Sequence, residues 1–520
     1  MALARAVVRQ IIEAGIADVV VSPGSRNAPL LLAFNAAATR GLIKIHVRID
    51  ERTAAFFALG LIKSTHRPVP IVCTSGTAVA NFHPAVLEAS HTNAALLVLT
   101  ADRPAMLRRT GANQTTEQAR IFGKAVRYFA DIDGPVFPME LPLDSLRSGP
   151  VHLNLQFDEP LLPDDSTAWL DEIKVSTPSS EPRKSAVKLK VQANRGVLVI
   201  GHDRGGLSVK EVSAFAKKLN WPIISEDPLT FSDAIAHASI FLTSAQVRSV
   251  LVPQAAIVIG RTTLSRSINA LVGLAPLTYV IDPRIATVDS DRSADKRFTE
   301  IPMLDTVMAS DDWIAQWRKY SARCAKLISE LDGWNEASIA RQIGEAIPDG
   351  SALFISSSRP IRDFEGFATP RLGVTTYANR GLAGIDGNIS SALGVASGHL
   401  QTFAVLGDLA FLHDITGLIE HEDINCKFIV INNNGGGIFS TLSQRGIEGF
   451  EKVFGTPHGL DPAAIAKSFG VPSTTITSIA ELRNELALPI KGVSVVVAKV
   501  QSRDANAEYL KSIYEKMGSI

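Results

Sequence analysis

The sequence predicts an α/β protein made of three doubly wound domains, each a parallel β-sheet with helices on both faces. The chain has 520 residues, enough for about three domains that each bury a full core. Short apolar runs alternate with helical patterns along most of it, which is typical of parallel strands buried on both faces. Unusual polar residues follow several runs, where open α/β sheets bind their ligands.

The composition disfavours several function classes. Lysine and arginine together number 52 and aspartate and glutamate also 52, so no net positive charge would attract nucleic acid or an anionic membrane. Cys73, Cys324 and Cys426 are too far apart to suggest a disulfide scaffold or a zinc site, and they fit a reducing cytoplasm. No apolar run approaches the roughly 18 residues that cross a bilayer. We expect a cytoplasmic protein with small-molecule partners, without nucleic acid binding or membrane insertion.

The predicted domains follow these runs. The first domain, residues 1–165, contains the apolar runs ADVVV, IKIHVRI, VPIVC and AALLVLTA. A segment rich in proline, serine and acidic residues, 158–187, shows no sustained period and predicts a linker. The third domain, residues 340–520, opens with ALFIS and contains TFAVLGD, KFIVINN and VSVVVAK.

The central domain, residues 186–325, begins with the apolar run GVLVIG. Its Gly201, Gly205 and Gly206 suggest a dinucleotide site at first sight. The G-x-G-x-x-G spacing is absent and no acidic partner is in place, so the pattern disfavours nucleotide binding there.

The third domain carries the most specific pattern. Asp408 ends one apolar run and Asn433 ends the next, about 25 residues later, enough for a crossover helix that brings both strand ends together. One carboxylate, one amide oxygen and the carbonyl of Gly435 suit Mg²⁺ if a diphosphate supplies further oxygens. The glycines at 435–437 would let the backbone approach phosphate. The alternative is a pair of ordinary strand-to-helix turns with an Asp cap and an Asn-Gly turn.

This pair resembles the GD…NN signature of thiamine diphosphate enzymes. The resemblance implies thiamine diphosphate as the cofactor, held through Mg²⁺ or Mn²⁺ by Asp408, Asn433 and Gly435, with Gly407 in the same motif. It also implies a glutamate in a separate pyrimidine-binding domain that shares a proton with the cofactor's aminopyrimidine. Glu51, which follows the run IKIHVRI, matches that position and is the implied catalytic residue. Taken alone, Glu51 would indicate only a negative charge at a helix N-terminus.

Further motifs resemble one family within this superfamily, the 2-succinyl-5-enolpyruvyl-6-hydroxy-3-cyclohexene-1-carboxylate synthases of menaquinone biosynthesis. The motifs are VVVSPGSRNAPL, DERTAAFFALGL, CTSGTAVANFHPAVLEAS, TADRP, GANQT, NRGLAGIDG and NNNGGGIFSTL, and FEKVFGTPHGLD also looks like this family. The resemblance implies a pyrimidine-binding, a central and a diphosphate-binding domain of the thiamine diphosphate-enzyme type. It further implies a homodimer or homotetramer with sites between subunits.

The implied activity is that of a transferase. It decarboxylates 2-oxoglutarate and adds the resulting carbanion in 1,4 fashion to isochorismate. Two alternatives stay open: another thiamine diphosphate carboligase or decarboxylase, such as an acetolactate synthase-like enzyme, and a cofactor-binding homologue without catalysis.

Arginines supply the candidate substrate contacts. Each substrate brings two carboxylates, and planar bidentate recognition of carboxylates favours arginine over lysine. A single arginine at any of these positions would more often be a surface ion-pair partner. The resemblance implies a pocket lined by Ser25, Arg26, Arg103, Gln114, Arg266, Ser358, Arg362, Arg380, Phe439 and Leu442. Ile385 is implied to lie beneath the cofactor, and His413 is interpreted as structural.

Overall fold

The computed structural model describes residues 1–134, 139–162, 168–175, 187–284, 294–306, 309–330, 333–419 and 423–518. Three parallel β-sheets follow one another along these ranges, and their strands alternate with helices. About half of the predicted linker, 158–187, lies outside the described residues, namely 163–167 and 176–186.

The first sheet is formed by six strands near the N-terminus. They are β1 (Asp18–Val21), β2 (Lys44–Val47), β3 (Val69–Cys73), β4 (Leu96–Asp102), β5 (Tyr128–Ile132) and β6 (Val151–Gln156). The helices of this region are α1 (Ala2–Glu13), α2 (Ala28–Thr39), α3 (Glu51–Thr65), α4 (Thr77–Asn81), α5 (His83–Thr92) and α6 (Leu143–Arg147). The sheet order is β2-β1-β3-β4-β6-β5. Every residue of β3 and β4 is buried because helices cover both faces.

The second sheet belongs to the central region. Its strands and those of a small accompanying sheet are β7 (Lys188–Val191), β8 (Gly196–Ile200), β9 (Ile223–Ser225), β10 (Ala255–Ile259), β11 (Thr278–Ile281), β12 (Lys296–Phe298) and β13 (Met303–Thr306). The helices are α7 (Val209–Leu219), α8 (Ala238–Phe241), α9 (Ala245–Val250), α10 (Arg266–Val272) and α11 (Asp311–Glu330). The main sheet has the order β12-β11-β10-β8-β9, and β13 pairs with β7.

The third sheet contains the strands that precede the candidate metal residues. Its strands are β14 (Ala352–Ile355), β15 (Thr375–Tyr377), β16 (Thr402–Gly407), β17 (Cys426–Asn432), β18 (Ser473–Ile476) and β19 (Val493–Lys499), in the order β15-β14-β16-β17-β19-β18. The helices are α12 (Glu336–Ala346), α13 (Arg359–Phe367), α14 (Asn388–Ala396), α15 (Asp408–His413), α16 (Pro462–Ser468), α17 (Ile479–Ala487) and α18 (Arg503–Gly518).

Two compact units result from the packing of these elements. One unit contains Met1–Pro182, Asp386–Leu400 and His413–Ile424, and the other contains Arg183–Ile385, Gln401–Leu412 and Asn425–Ile520. Helix α14 therefore packs with the first sheet, although it comes late in the chain.

Two glycines explain how helix α14 packs so closely on α3. A Cβ atom on Gly60 would lie 2.1 Å from the carbonyl oxygen of Ser391, and one on Gly394 would lie 2.1 Å from that of Phe57. Any larger residue at either position would force the two helices apart.

The predicted fold class is confirmed, because all three main sheets are parallel and of the alternating strand-helix type. The glycines of the central region have structural reasons. A Cβ on Gly201 would lie 1.6 Å from the carbonyl oxygen of Arg261, so glycine is required for packing there. None of the described helices has the length and apolar character that crossing a bilayer requires.

Candidate active site

Glu51 lies at the carboxyl edge of the first sheet, as the first residue of helix α3. Asp50 caps this helix, since its carboxylate accepts hydrogen bonds from the backbone N–H groups of Arg52 at 2.9 Å and Thr53 at 3.4 Å. Capping therefore does not occupy Glu51, which is half-buried and forms no hydrogen bond or ion pair with another described residue. Burial raises the pKa of the Cys73 thiol, and the nearby Glu51 carboxylate raises it further.

Arg26 and Arg103 converge at this same edge. Arg26 follows β1 and donates through Nη1 to the carbonyl of Phe157 at 3.0 Å. Arg103 follows β4 and donates through Nη1 to Ser75 Oγ and to the carbonyl of Gln114, both at 2.8 Å. Burial lowers the pKa of Arg103 and the charge of Arg26 lowers it further, so the two guanidinium groups are close neighbours.

Gln114 is held against the loop that follows β3. Its Nε2 donates to the carbonyl of Ser75 at 3.2 Å, and its backbone adopts a positive φ of 52°. Gly76, with φ of 85°, packs beneath it, because a Cβ there would lie 3.1 Å from Gln114 Cγ. Ser25 is exposed in the neighbouring loop. The structure thus brings Arg26, Arg103 and Gln114 together.

Asp408 lies at the start of helix α15, immediately after β16. Its side chain is buried, and Oδ1 accepts from the backbone N–H of Leu409 at 2.7 Å. Oδ2 accepts from the N–H of Gly435 at 2.9 Å and lies 3.2 Å from His458 Nε2. Because β16 and β17 are paired neighbours, the loops that follow them meet at Asp408.

Asn433 follows β17, and its amide is oriented by one strong hydrogen bond. Nδ2 donates to Glu336 Oε1 at 2.7 Å, whereas Oδ1 is buried without a hydrogen-bond partner among the described residues. Gly435 has φ of 135°, and a Cβ there would lie 2.1 Å from the carbonyl oxygen of Gly455. The Asn433–Gly437 loop therefore needs glycine where it packs against the 451–455 segment.

Arg362 and Arg380 form a second arginine cluster, within the unit that contains the second and third sheets. Arg362 lies in the first turn of α13, and Arg380 follows β15. Burial lowers the pKa of Arg362, and the charges of Arg359 and Arg380 lower it further, so these guanidinium groups are close. Ser358, just before α13, has φ of 74°, a conformation that costs a non-glycine residue about 1–3 kcal/mol and often marks functional sites.

Two buried glutamates accompany this second cluster. Arg380 Nη2 donates to Glu226 Oε1 at 2.6 Å, and both side chains are only 2% exposed. Burial raises the pKa of Glu365 to about 8, and the nearby Glu226 contributes in the same direction. Arg380 therefore already has a carboxylate partner within the protein. A substrate contact by Arg380 stays a prediction, and it must share the guanidinium with Glu226.

The remaining predicted residues are more dispersed. Arg266 begins helix α10, is exposed, and makes no hydrogen bond or ion pair with another described residue. Phe439 and Leu442 are half-buried after the glycine loop, and the Phe439 ring lies 5.4 Å from that of Phe454. Ile385 is half-buried. A Cβ on Gly407 would meet nothing within 4 Å, so space is open beside it.

The exposed His413 side chain lies 3.9 Å from a carboxylate oxygen of Asp386, while its backbone carbonyl accepts from Arg52 Nη2 at 2.7 Å. The structural interpretation of His413 stays a prediction.

Sequence reasoning missed three residues of this site. His458 contacts Asp408, Glu336 contacts Asn433, and Glu226 contacts Arg380. The segment TPHGLD offered a signal for His458, because it belongs to a motif typical of the family. Glu336 and Glu226 had none, since both lie far from their partners along the chain and in otherwise ordinary helix or strand ends.

Comparisons with known proteins first identify the class of enzyme to which the chain is similar. Three family models match successive parts of the chain. Residues 1–121 match "Thiamine pyrophosphate enzyme, N-terminal TPP binding domain", residues 164–355 match "Middle domain of thiamine pyrophosphate", and residues 366–498 match "Thiamine pyrophosphate enzyme, C-terminal TPP binding domain". The chain thus has the fold and the domain order of a thiamine diphosphate enzyme.

Relatives of known name identify one family within this class. Three proteins named 2-succinyl-5-enolpyruvyl-6-hydroxy-3-cyclohexene-1-carboxylate synthase align over nearly the whole chain. The protein from Nocardioides sp. is 38% identical, covering 96% of this chain and 95% of its own. That from Thermobifida fusca is 37% identical with 100% and 99% coverage, and that from Lysinibacillus sphaericus is 34% identical with 96% and 96%. The chain belongs to the family of these synthases.

A solved structure supports the fold alone. Benzoylformate decarboxylase from Polynucleobacter necessarius has a TM-score of 0.67 at 15% identity, covering 97% of this chain and 99% of its own.

The residues present fit a diphosphate-bound cation. The Asn433 Oδ1 atom is a buried acceptor without a partner among the described residues, and such an atom is costly unless a cation or donor reaches it. Within the described ranges, no group of three or more His, Cys, Asp or Glu side chains could hold a metal ion. A cation at Asp408 and Asn433 would therefore depend on oxygens brought by the cofactor.

Proposed function

We propose that this protein decarboxylates 2-oxoglutarate and joins the remaining four-carbon unit to isochorismate. The products are 2-succinyl-5-enolpyruvyl-6-hydroxy-3-cyclohexene-1-carboxylate and CO₂, which together account for every atom of the two substrates. The observation that carries this proposal is similarity over the full chain, 37% identity with coverage of 100% and 99%, to a relative that bears the name of this synthase.

We assign cofactor-binding roles to residues that lie at the carboxyl edges of the first and third sheets. Asp408, Asn433 and the carbonyl of Gly435 would hold Mg²⁺ or Mn²⁺, and Gly407 and Ile385 would contact the cofactor. When bound, thiamine diphosphate supplies the electron sink that decarboxylation and carbanion chemistry require. Glu51 would hold the proton that the cofactor's aminopyrimidine shares. Its carboxylate suits that task because it is half-buried and no described residue neutralises it.

The substrate residues are proposed to read carboxylates. Arg103 is anchored by a hydroxyl and a backbone carbonyl, and Arg26 by a backbone carbonyl together with an ion pair to the exposed Glu159 at 3.3 Å. Their remaining N–H groups can pair with a substrate carboxylate. Further members of the pocket are Ser25, Gln114, Arg266, Ser358, Arg362, Arg380, Phe439 and Leu442.

Product analysis tests the function. Purified protein is incubated with thiamine diphosphate, Mg²⁺, 2-oxoglutarate and isochorismate, and the products are identified by mass spectrometry. We expect the adduct only when both substrates are present. A parallel incubation with pyruvate in place of both substrates tests an acetolactate synthase-like activity. Formation of a pyruvate-derived ligation product without the isochorismate adduct would overturn the proposal.

The working unit is proposed to be a homodimer or homotetramer that holds each cofactor between subunits. Two inactive variants, Glu51→Gln and Asp408→Ala, test this when they are co-expressed or mixed after partial denaturation. If a site uses Glu51 from one subunit and Asp408 from another, hybrid dimers regain one intact site. About a quarter of the wild-type activity should then return by random pairing. Activity that stays at the level of the separate variants would show that each chain builds its own site.

A further inference from the structure

Glu336 is the buried group that determines how the Asn433 amide is oriented. Glu336 Oε1 accepts from Asn433 Nδ2 at 2.7 Å, and the Glu336 side chain is only 1% exposed. A carboxylate can only accept, so this bond fixes which end of the amide faces Glu336. The other end, Oδ1, is turned away and is buried without a partner among the described residues.

The structure also holds Glu336 itself in place. Glu336 is the first residue of helix α12, where a negative charge is favourable. Its backbone position is fixed by Asn335, whose Oδ1 accepts from the N–H of Ser338 at 2.9 Å. Arg359 Nε lies 4.0 Å from Glu336 Oε2, and Arg359 also pairs with the buried Asp363. Burying a carboxylate costs free energy, and the helix does not need Glu336 as a cap because Asn335 already caps it. Helix formation alone therefore does not explain why Glu336 is buried here.

We propose that Glu336 is a positioning residue for metal binding: it holds the Asn433 amide so that Oδ1 faces the cation. This inference rests on the proposed function, in which Asn433 is a metal ligand, and it adds a residue that lies 97 positions earlier in the chain. Without Glu336, the Asn433 amide can rotate so that its NH₂ group faces the cation. The hydrogens of that group carry partial positive charge and repel the cation. Groups of this kind, which hydrogen-bond to a metal ligand, typically contribute 10- to 100-fold to metal affinity.

Metal affinity distinguishes this role from a merely structural one. The dissociation constant of Mn²⁺ is measured in the presence of saturating thiamine diphosphate by electron paramagnetic resonance, which requires no substrate. We expect Glu336→Leu to weaken Mn²⁺ binding by about 10- to 100-fold. Glu336→Gln keeps an oxygen that can accept from Asn433 Nδ2, and we expect it to stay within about threefold of the wild type.

A donor-acceptor exchange makes the test specific to this bond. Asn433→Asp alone places two carboxylates in contact and should lower metal affinity or stability. In the double variant Asn433→Asp with Glu336→Gln, the glutamine NH₂ can donate to the new carboxylate, so the bond is restored with its direction reversed. We expect the double variant to bind Mn²⁺ more tightly than Asn433→Asp does. This comparison stays informative even if Glu336→Leu does not fold.

Asp282→Asn is the matched control, since it removes the charge of another buried carboxylate, which pairs with Arg284 rather than with Glu336 or Asn433. It should leave Mn²⁺ affinity within about threefold of the wild type, and an equal loss in Asp282→Asn and Glu336→Leu would overturn the positioning role. Unchanged affinity in Glu336→Leu, or no rescue in the double variant, would also overturn it. If the wild type itself binds no Mn²⁺ with thiamine diphosphate, the proposed metal site fails first.

Discussion

The two arginine clusters differ in how their charges are balanced. Arg26 and Arg103, at the edge of the first sheet, are anchored mainly by carbonyl and hydroxyl oxygens, and the Glu159 carboxylate, 3.3 Å from Arg26 Nη2, is 66% exposed. Arg380, in the other compact unit, is paired with the buried Glu226 at 2.6 Å.

This difference shows what each cluster can do for a substrate. A guanidinium with neutral anchors gains a full ionic partner when a carboxylate binds, whereas one already paired with a buried carboxylate gains less. Removing the paired arginine instead leaves a buried charge alone. The first cluster should therefore govern substrate affinity, and the Arg380–Glu226 pair should govern stability.

Glu51→Gln should give the largest effect. Glu51 has no hydrogen bond or ion pair to another described residue, so its replacement should cost little stability. The neutral amide cannot hold the shared proton, and kcat should fall by about 100- to 10,000-fold. Steady-state assays measure kcat, and calorimetric titration with thiamine diphosphate measures cofactor affinity. Near-wild-type kcat would remove Glu51 from the mechanism, while cofactor affinity should stay within about threefold.

Arg380→Ala should give the largest loss of stability. The substitution leaves Glu226 buried without its ionic partner, and such a loss costs about 3–5 kcal/mol in the free energy of unfolding. Urea denaturation measures this change. Arg445→Ala is the control, since Arg445 pairs with the exposed Glu508 and should lose less than about 1 kcal/mol. If Arg380→Ala is as stable as the wild type, the Arg380–Glu226 pair does not govern stability and the contrast between the two clusters fails.

Arg103→Ala should affect affinity rather than stability. Loss of a charged hydrogen-bonding group costs about 1.5–3 kcal/mol, so kcat/KM for isochorismate should fall roughly 10- to 100-fold. The free energy of unfolding should change by less than about 1 kcal/mol. Arg109→Ala, which removes an exposed arginine of the same segment, should leave kcat/KM unchanged. If Arg103→Ala lowers stability and leaves kcat/KM unaltered, the first cluster stabilises the fold rather than binding substrate.

Glu365→Gln should change the pH dependence of stability. Burial and then Glu226 raise the pKa of Glu365 from its usual 4.5 to about 8. The folded state therefore holds a proton that the unfolded state releases between these values, so unfolding free energy should fall as pH rises from about 4.5 to about 8. Glu365→Gln should flatten this decline by at least ~1 kcal/mol. Parallel profiles for wild type and Glu365→Gln would show that Glu365 does not titrate in this window.

The fold was predictable because its signals are local. Apolar runs such as those of β4 and β17 are buried along their whole length or nearly so, and turn residues follow them directly. The places of Glu51, Asp408 and Asn433 also follow from local order, since Asp408 and Asn433 directly follow β16 and β17 and Glu51 comes four residues after β2. Parallel strands align their carboxyl ends, so sequence position alone indicates a shared edge.

The partners of these residues were not predictable. Glu336 and Asn433 are 97 residues apart, and Arg380 and Glu226 are 154 apart. Neither glutamate stands in a distinctive motif, and a glutamate is usually exposed, so the sequence favours a solvated side chain at both positions. Only the three-dimensional packing shows that Glu226 neutralises Arg380 and that Glu336 orients Asn433.

The proposed reaction releases one CO₂ for each isochorismate that is ligated, and an isotope experiment measures this ratio. With 2-oxoglutarate labelled with carbon-13 at its C1 carboxylate, labelled CO₂ and the disappearance of isochorismate are followed in one reaction containing Mg²⁺ and thiamine diphosphate. We expect equal molar amounts of CO₂ released and isochorismate consumed. Labelled CO₂ released while isochorismate stays intact, or no release with both substrates present, would contradict it.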